Sequence, residues 1–146
     1  MSSCLIVHNH KLLLLLRDNI STIPDPNCWS LVGGIIENNE SAEQALLREI
    51  KEEIDLDLKN VTFVGTISRA DDLLIHLHYV PISDEEVKQL KLGNEGQKLQ
   101  FFEYEELRNI NLRPSLKVLF NECGDKIKNM MENGIVDSIV VKLADA

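Results

Sequence analysis

The stretch from Gly33 to Leu56 constrains this chain more than any other. It opens as Gly33-Gly34-Ile35-Ile36-Glu37, passes through Asn38-Asn39-Glu40, and enters a helical run from Ser41 to Ile54. Ser41 followed three residues later by Gln44 has the form of a capping box. Ala42, Leu46, Ile50 and Ile54 recur every fourth residue and predict one apolar stripe. Glu49, Glu52 and Glu53 stand at i, i+3 and i+4, so three carboxylates share the face beside that stripe. Like charges at this spacing oppose helix formation. Two readings follow for the carboxylates alone: a solvated acidic face, or oxygen ligands for a hard divalent cation. The glycine pair ahead of the helix lets backbone approach a ligand closely, and a carbonyl there could complete a metal shell.

The spacing of the whole stretch carries more than the carboxylates do. From Gly34 there are five residues, Glu40, seven residues, then Arg48-Glu49-Ile50-Lys51-Glu52-Glu53. This resembles the Nudix box, Gly, five residues, Glu, seven residues, Arg-Glu-aliphatic-x-Glu-Glu-x-Gly-aliphatic. Asp55 stands where the box has Gly, and Leu56 supplies the final aliphatic. The resemblance implies an α/β/α sandwich, a mixed sheet between helices, with the box as loop-helix-loop. It implies metal-dependent hydrolysis of a nucleoside diphosphate linked to another moiety, with Mg²⁺ as cofactor and Mn²⁺ as a substitute. By motif position it makes Glu49 and Glu53 direct metal ligands, Glu52 a ligand directly or through water, and the Gly33 carbonyl a further one. Gly34 would face substrate. Arg48 would hold the glutamates in place, and Glu40 would be structural or outer-shell. The general base would be Glu53, Glu52 or Glu95. The Asn94-Glu95-Gly96-Gln97 segment carries an Glu-Gly-Gln that resembles MutT-type enzymes, where a Glu outside the box binds metal or acts as base. That Glu would sit on a loop which Gly96 allows to bend.

Composition narrows the rest. At 146 residues one domain, 1–146, is expected. A net charge of −9 argues against a nucleic-acid or anionic-membrane surface. It leaves a phosphorylated small molecule open, because bound cations invert the local field. Cys4, Cys28 and Cys123 are far apart and read as reduced thiols of a cytoplasmic protein. The Leu12–Leu16 run is too short to cross a bilayer, and no targeting signal is read. The assembly expected is a monomer or homodimer.

Along the chain, Cys4–Val7 and Lys11–Leu16 predict a hairpin with Asn9 in the turn, its second strand buried on both faces. Arg17 at the strand end is either a surface residue or a phosphate contact. Asp18–Asn27 reads as a loop, and Trp29 before the glycines reads as core rather than a stacking platform. Asp55 is expected to take positive φ at the helix end, at a cost to stability rather than chemistry. Val61–Ile67 and Leu73–Val80 read as strands joined by Ser68–Asp72. His76 and His78 share a strand face, and a plain polar face is preferred to pocket lining or zinc. Asp84–Leu90 reads as a short helix and Lys98–Phe102 as a strand. Tyr104–Leu107 reads as a helical turn. Pro114 opens a helix to about Glu122 with Gly124 as its stop, followed by a helical stretch Lys126–Glu132 and a strand-like Ile135–Leu143. In the 8-oxo-dGTP enzymes an Asn near the C-terminal helix helps read the purine. Asn111 is nearby, but Leu112-Arg113-Pro114 does not align with them. Nucleoside triphosphates, oxidised ones included, are the first substrate expectation, with ADP-sugars and dinucleoside polyphosphates as alternatives. A catalytically silent nucleotide-binding module is a further alternative.

Overall fold

The computed structural model describes residues 1–68 and 73–143. The join between the two central strands, read above as Ser68–Asp72, therefore lies mostly outside the described residues. The chain begins with β1 (Ser2–His8) and β2 (Lys11–Leu16). Asn9 and His10 both take positive φ, 50° and 65°, giving the two-residue turn whose twist matches the flanking strands. Their apolar residues sort by parity. Leu5, Val7, Leu12 and Leu14 face one core; Cys4, Ile6 and Leu13 face the other. The hairpin is thus buried on both sides, and this is why its leucines run without polar alternation.

The sheet is mixed, as expected. Its order is β3 (Trp29–Ser30), β2, β1, β6 (Leu74–Pro81), β5 (Thr62–Ser68), β8 (Ile139–Lys142). The β1–β6 and β5–β8 pairs are parallel and the β5–β6 pair is antiparallel. Two short strands complete it: β4 (Val32–Gly34) pairs with the start of β1, and β7 (Lys98–Phe102) runs along β2. One face is covered by α1 (Ala42–Ile54), the other by α3 (Pro114–Asn133). A shorter α2 (Asp84–Gln89) and a 3₁₀ turn (Tyr104–Asn109) fill the connections. This is the predicted α/β/α arrangement.

Helix α1 forms as its caps prescribe. Ser41 accepts from the Gln44 amide at 3.1 Å, and the Gln44 side chain returns a contact to Ser41 N at 2.8 Å. Asp55 ends the helix in the left-handed region, φ 55°, with its N–H on the Lys51 carbonyl. The buried stripe is Ala45, Leu46, Ile50 and Ile54. Ala45 replaces the expected Ala42 because the core contacts a stripe wider than one residue per turn. Ser2, fully buried, donates its hydroxyl to the Ala42 carbonyl at 2.8 Å and so ties the helix start to β1.

The two helical stretches expected around Gly124 are both present within α3. The first breaks at Cys123, which has non-helical φ −124° and ψ 23°, one residue before the expected stop at Gly124, and the second runs to Asn133 with Gly134 at φ 67° as its cap. A side chain at Gly124 would collide with the Tyr104 hydroxyl, so this glycine also permits a close approach. The strand expected over Ile135–Leu143 needs correction: it is Ile139–Lys142, the residues that pair in register with β5, and the Leu143 N–H closes it on the Ser68 carbonyl at 2.8 Å.

Candidate active site

The β4–α1 junction brings the acidic residues together. Gly33 donates its N–H to Glu53 Oε1 at 3.0 Å, which turns that carboxylate under the strand end. A side chain at Gly33 would collide with the Ser2 carbonyl, and one at Gly34 would collide with the Glu49 carboxyl. The space the glycines leave is therefore filled by the protein itself, by β1 at Gly33 and by Glu49 at Gly34.

Arg48 is the hub that lets these carboxylates coexist. Its Nε and Nη2 grip Glu40 at 2.8 and 2.9 Å in a bidentate fork. Nη1 donates to Glu49 at 3.0 Å and reaches Glu52 at 3.4 Å, while Nη2 also meets the Ile35 carbonyl at 3.0 Å. Glu40 in turn accepts from the Glu37 N–H at 2.9 Å, closing the loop before the helix. The Arg48 fork and this backbone contact hold Glu40 below the usual carboxylate range.

The two inner glutamates move the other way. Burial pushes the Glu53 carboxyl up to about 8, against the Gly33 N–H, with the charges of Glu49 and Glu95 adding to the rise and Arg17 opposing it. Burial likewise raises Glu49, partly offset by Arg48. Two partly buried carboxylates thus lie together with too little positive charge beside them. Among the described residues no three acidic, His or Cys side chains gather closely enough to enclose an ion alone. That donor set fits Mg²⁺, which takes one or two carboxylates and keeps waters and substrate oxygens for the rest. Glu52 stays 57% exposed, at the outer side of the same face.

Glu95 belongs to this neighbourhood although it is distant in sequence, since its charge acts on both Glu49 and Glu53. The segment before it is docked on the end of α1. Lys91 donates to the Ile54 carbonyl at 3.0 Å and Gly93 to the Glu53 carbonyl at 2.8 Å, satisfying two helix-end acceptors. Arg17 donates through Nε and Nη2 to the Pro24 carbonyl at 3.1 and 2.7 Å.

Other predicted residues lie elsewhere. Trp29 is core: it meets Phe102 edge-on, centroids 4.8 Å apart. His76 and His78 flank Phe63 rather than the acidic cluster, with centroids 6.3 and 5.6 Å from its ring. His78 is buried, so the expected open polar face is closed at that position. Asn111 spends its amide on the Asn27 carbonyl at 3.2 Å and on Cys28. Sequence reasoning missed Arg113, which pairs with Asp25 at 2.9 Å and lines a half-open pocket between the sheet and α3 with Ser3, Ser30, Ile67 and Leu116. No local motif marks it; only the packing of α3 brings it there.

The NUDIX domain family model matches residues 2–123, which take in β1 to β7, α1 and the Glu95 segment. The chain belongs to the Nudix family. A relative named ADP-ribose pyrophosphatase, from Methanocaldococcus jannaschii, is 35% identical over 105 residues, 70% of this Nudix chain and 60% of that protein. This chain therefore aligns with well under two thirds of that relative's length. An 8-oxo-dGTP diphosphatase from Proteus vulgaris is 48% identical over 40 residues, 27% of this chain and 36% of that protein. The crystal structure of a NUDIX hydrolase from Nitrosomonas europaea superposes with a TM-score of 0.70 at 21% identity, over 97% of this chain and 76% of that one. At that identity the likeness speaks for the Nudix fold.

Proposed function

We propose that this Nudix chain hydrolyses the P–O–P bridge of a nucleoside diphosphate linked to another moiety. The observation that carries the reading is the pair Glu49 and Glu53, both partly buried, one held by Arg48 and the other by the Gly33 N–H. Such a pair is costly without a cation and useful with one. Bound there, Mg²⁺ (or Mn²⁺) supplies charge for the phosphate oxygens and lowers the pKa of a coordinated water.

The chain's own residues do the rest. Glu49 and Glu53 would hold the cation, with Glu52 joining directly or through water and the Gly33 carbonyl as a further oxygen. Arg48 keeps the glutamates from swinging apart. Water attacks one phosphorus, its proton passes to Glu53, Glu52 or Glu95, and the bridging P–O bond breaks to release a phosphate-bearing leaving group. Arg17 would contact the phosphates by exchanging its hold on the Pro24 and Asp25 carbonyls for them, and the Gly34 backbone would face the substrate. Little covalent chemistry is asked of the protein; positioning and charge neutralisation carry the rate.

Two substrate classes compete. Nucleoside triphosphates are favoured by the Glu-Gly-Gln segment. ADP-sugars are favoured by the longer reach of similarity, since the archaeal relative aligns far beyond the box and the 8-oxo-dGTP relative covers little more than the box. The longer alignment makes ADP-sugars the first class to try. The test is a Mg²⁺-supplemented screen of ADP-ribose, dGTP, 8-oxo-dGTP and dinucleoside polyphosphates with products identified by mass. Monophosphate products support the reading. Tight nucleotide binding without turnover would make this a silent binding module instead.

A further inference from the structure

Arg17 and Glu95 act on the acidic cluster through charge, from segments about eighty residues apart, and the two segments are stitched to each other. Asp18 accepts the Gly96 N–H on Oδ2 at 3.2 Å. Gln97 answers from the other side: its Nε2 donates to the Arg17 carbonyl at 2.8 Å and to Asn27 Oδ1 at 2.8 Å. The Gln97 N–H meets the Leu16 carbonyl at 2.8 Å. The exchange is reciprocal. A side chain beside Arg17 holds the backbone beside Glu95, and a side chain beside Glu95 holds the backbone of Arg17. The loop it closes is shut at its far end by Asn27 N–H on the Asp18 carbonyl, 3.0 Å, and Arg17 N–H on the Cys28 carbonyl, 2.9 Å. On its other flank the Glu95 segment is docked on α1 through Lys91 and Gly93. Gly96 takes φ 91°, and a side chain there would crowd Leu15, so the turn is open only to glycine.

We infer that Asp18 and Gln97 form a latch that sets the position of Arg17 and Glu95 relative to each other across the acidic cluster, with Asp18 as a positioning residue for the reaction. This rests on the reading given under Proposed function. Neither residue is placed on the metal or the substrate. Asp18 acts through a single backbone N–H, so its role needs an acceptor and not a charge. The latch replaces a bendable Glu95 loop with a turn fixed at both ends, as a preorganised site requires.

The test compares Asp18→Ala, Asp18→Asn and Gln97→Met by steady-state turnover of ADP-ribose with Mg²⁺, amide hydrogen exchange and thermal melting. Asp18→Asn keeps an acceptor in place; Asp18→Ala removes it. Asp18→Ala should speed exchange of the Gly96 N–H about tenfold, the scale of one lost hydrogen bond, and lower kcat/KM by about as much. Gln97→Met should do the same to kcat/KM and loosen residues 18–27. Asp18→Asn should stay within about threefold of the parent in both, since the hydrogen bond survives. The melts should fall by only a few degrees, because a single partly buried hydrogen bond is lost. Equal behaviour of Asp18→Ala and the parent overturns the latch. So does Asp18→Asn failing like Asp18→Ala, which would make the charge the active feature. If no nucleotide is turned over, the function reading fails separately, and Gly96 exchange alone still decides the latch.

Discussion

Glu53 concentrates the conflict between stability and chemistry in one side chain. Its carboxyl is buried and accepts the Gly33 N–H at 3.0 Å. Glu53→Gln keeps that acceptor and removes the charge. The variant should lose about 10²-fold or more in kcat, the scale of a lost metal ligand or base. Without metal at alkaline pH it should melt no lower than the parent, because a neutral amide has no charge to desolvate. Kinetics beside a melt check both halves, and near-normal kcat would put the chemistry on another face of α1. Asp55 makes the contrasting case. It sits at φ 55° and pairs with Lys51 at 3.0 Å, both half exposed. Asp55→Gly should raise stability by up to about 1 kcal/mol, since glycine takes positive φ without strain and an exposed pair contributes little. Its kcat should stay within a few-fold, and loss of activity would make Asp55 a functional carboxylate.

At the scale of elements, the glycines differ from one another in what they permit. Gly33 and Gly34 admit β1 and Glu49. Gly65 admits β8: a side chain there would drive into the Ile139 carbonyl, a backbone atom with no rotamer to yield. Gly65→Ala should therefore cost roughly 1–3 kcal/mol, the range for overpacking, although alanine suits a strand no worse than glycine. Denaturant unfolding measures it, and an unchanged midpoint would mean that β8 adds nothing to the sheet. Helix α3 uses a glycine in the same way. Its two halves meet at the non-helical Cys123, where the sequence placed a stop at Gly124; a side chain at Gly124 would collide with the Tyr104 hydroxyl, and Leu119, Ile127 and Met130 carry both halves into one core.

For the whole molecule, the acidic cluster predicts how stability follows pH. Without a cation, burial pushes the Glu53 carboxyl up to about 8 from an ordinary 4.5. The folded state then keeps a proton that the unfolded state has released, so stability should be greatest below about pH 4.5 on this account and fall as pH rises through 8. A cation replaces that proton. Mg²⁺ should thus raise Tm more at pH 8.5 than at pH 6, as metal binding to a carboxylate displaces a proton. Melting with and without chelator at the two pH values tests this, and equal Mg²⁺ shifts would take Glu53 out of the metal site. Turnover should also stop in excess chelator.

By itself the sequence determined α1, with its capping box, apolar stripe and left-handed Asp55, because these are contacts within one turn of chain. It determined the hairpin, whose buried leucines and Asn9 turn are equally local. The spacing of Glu40, Arg48, Glu49, Glu52 and Glu53 was legible too, since a helix converts spacing directly into a face. Tertiary structure decided what that face meets. Only the pairing of β4 with β1 puts the Gly33 N–H on Glu53, and only the docking of residues 91–93 on the end of α1 brings Glu95 into charge range. The contacts of Asp18 and Gln97 and the Arg113 pocket left no mark on any local pattern. Each depends on hydrogen bonds or packing between residues far apart in the chain, and a sequence carries no record of those until the sheet has closed.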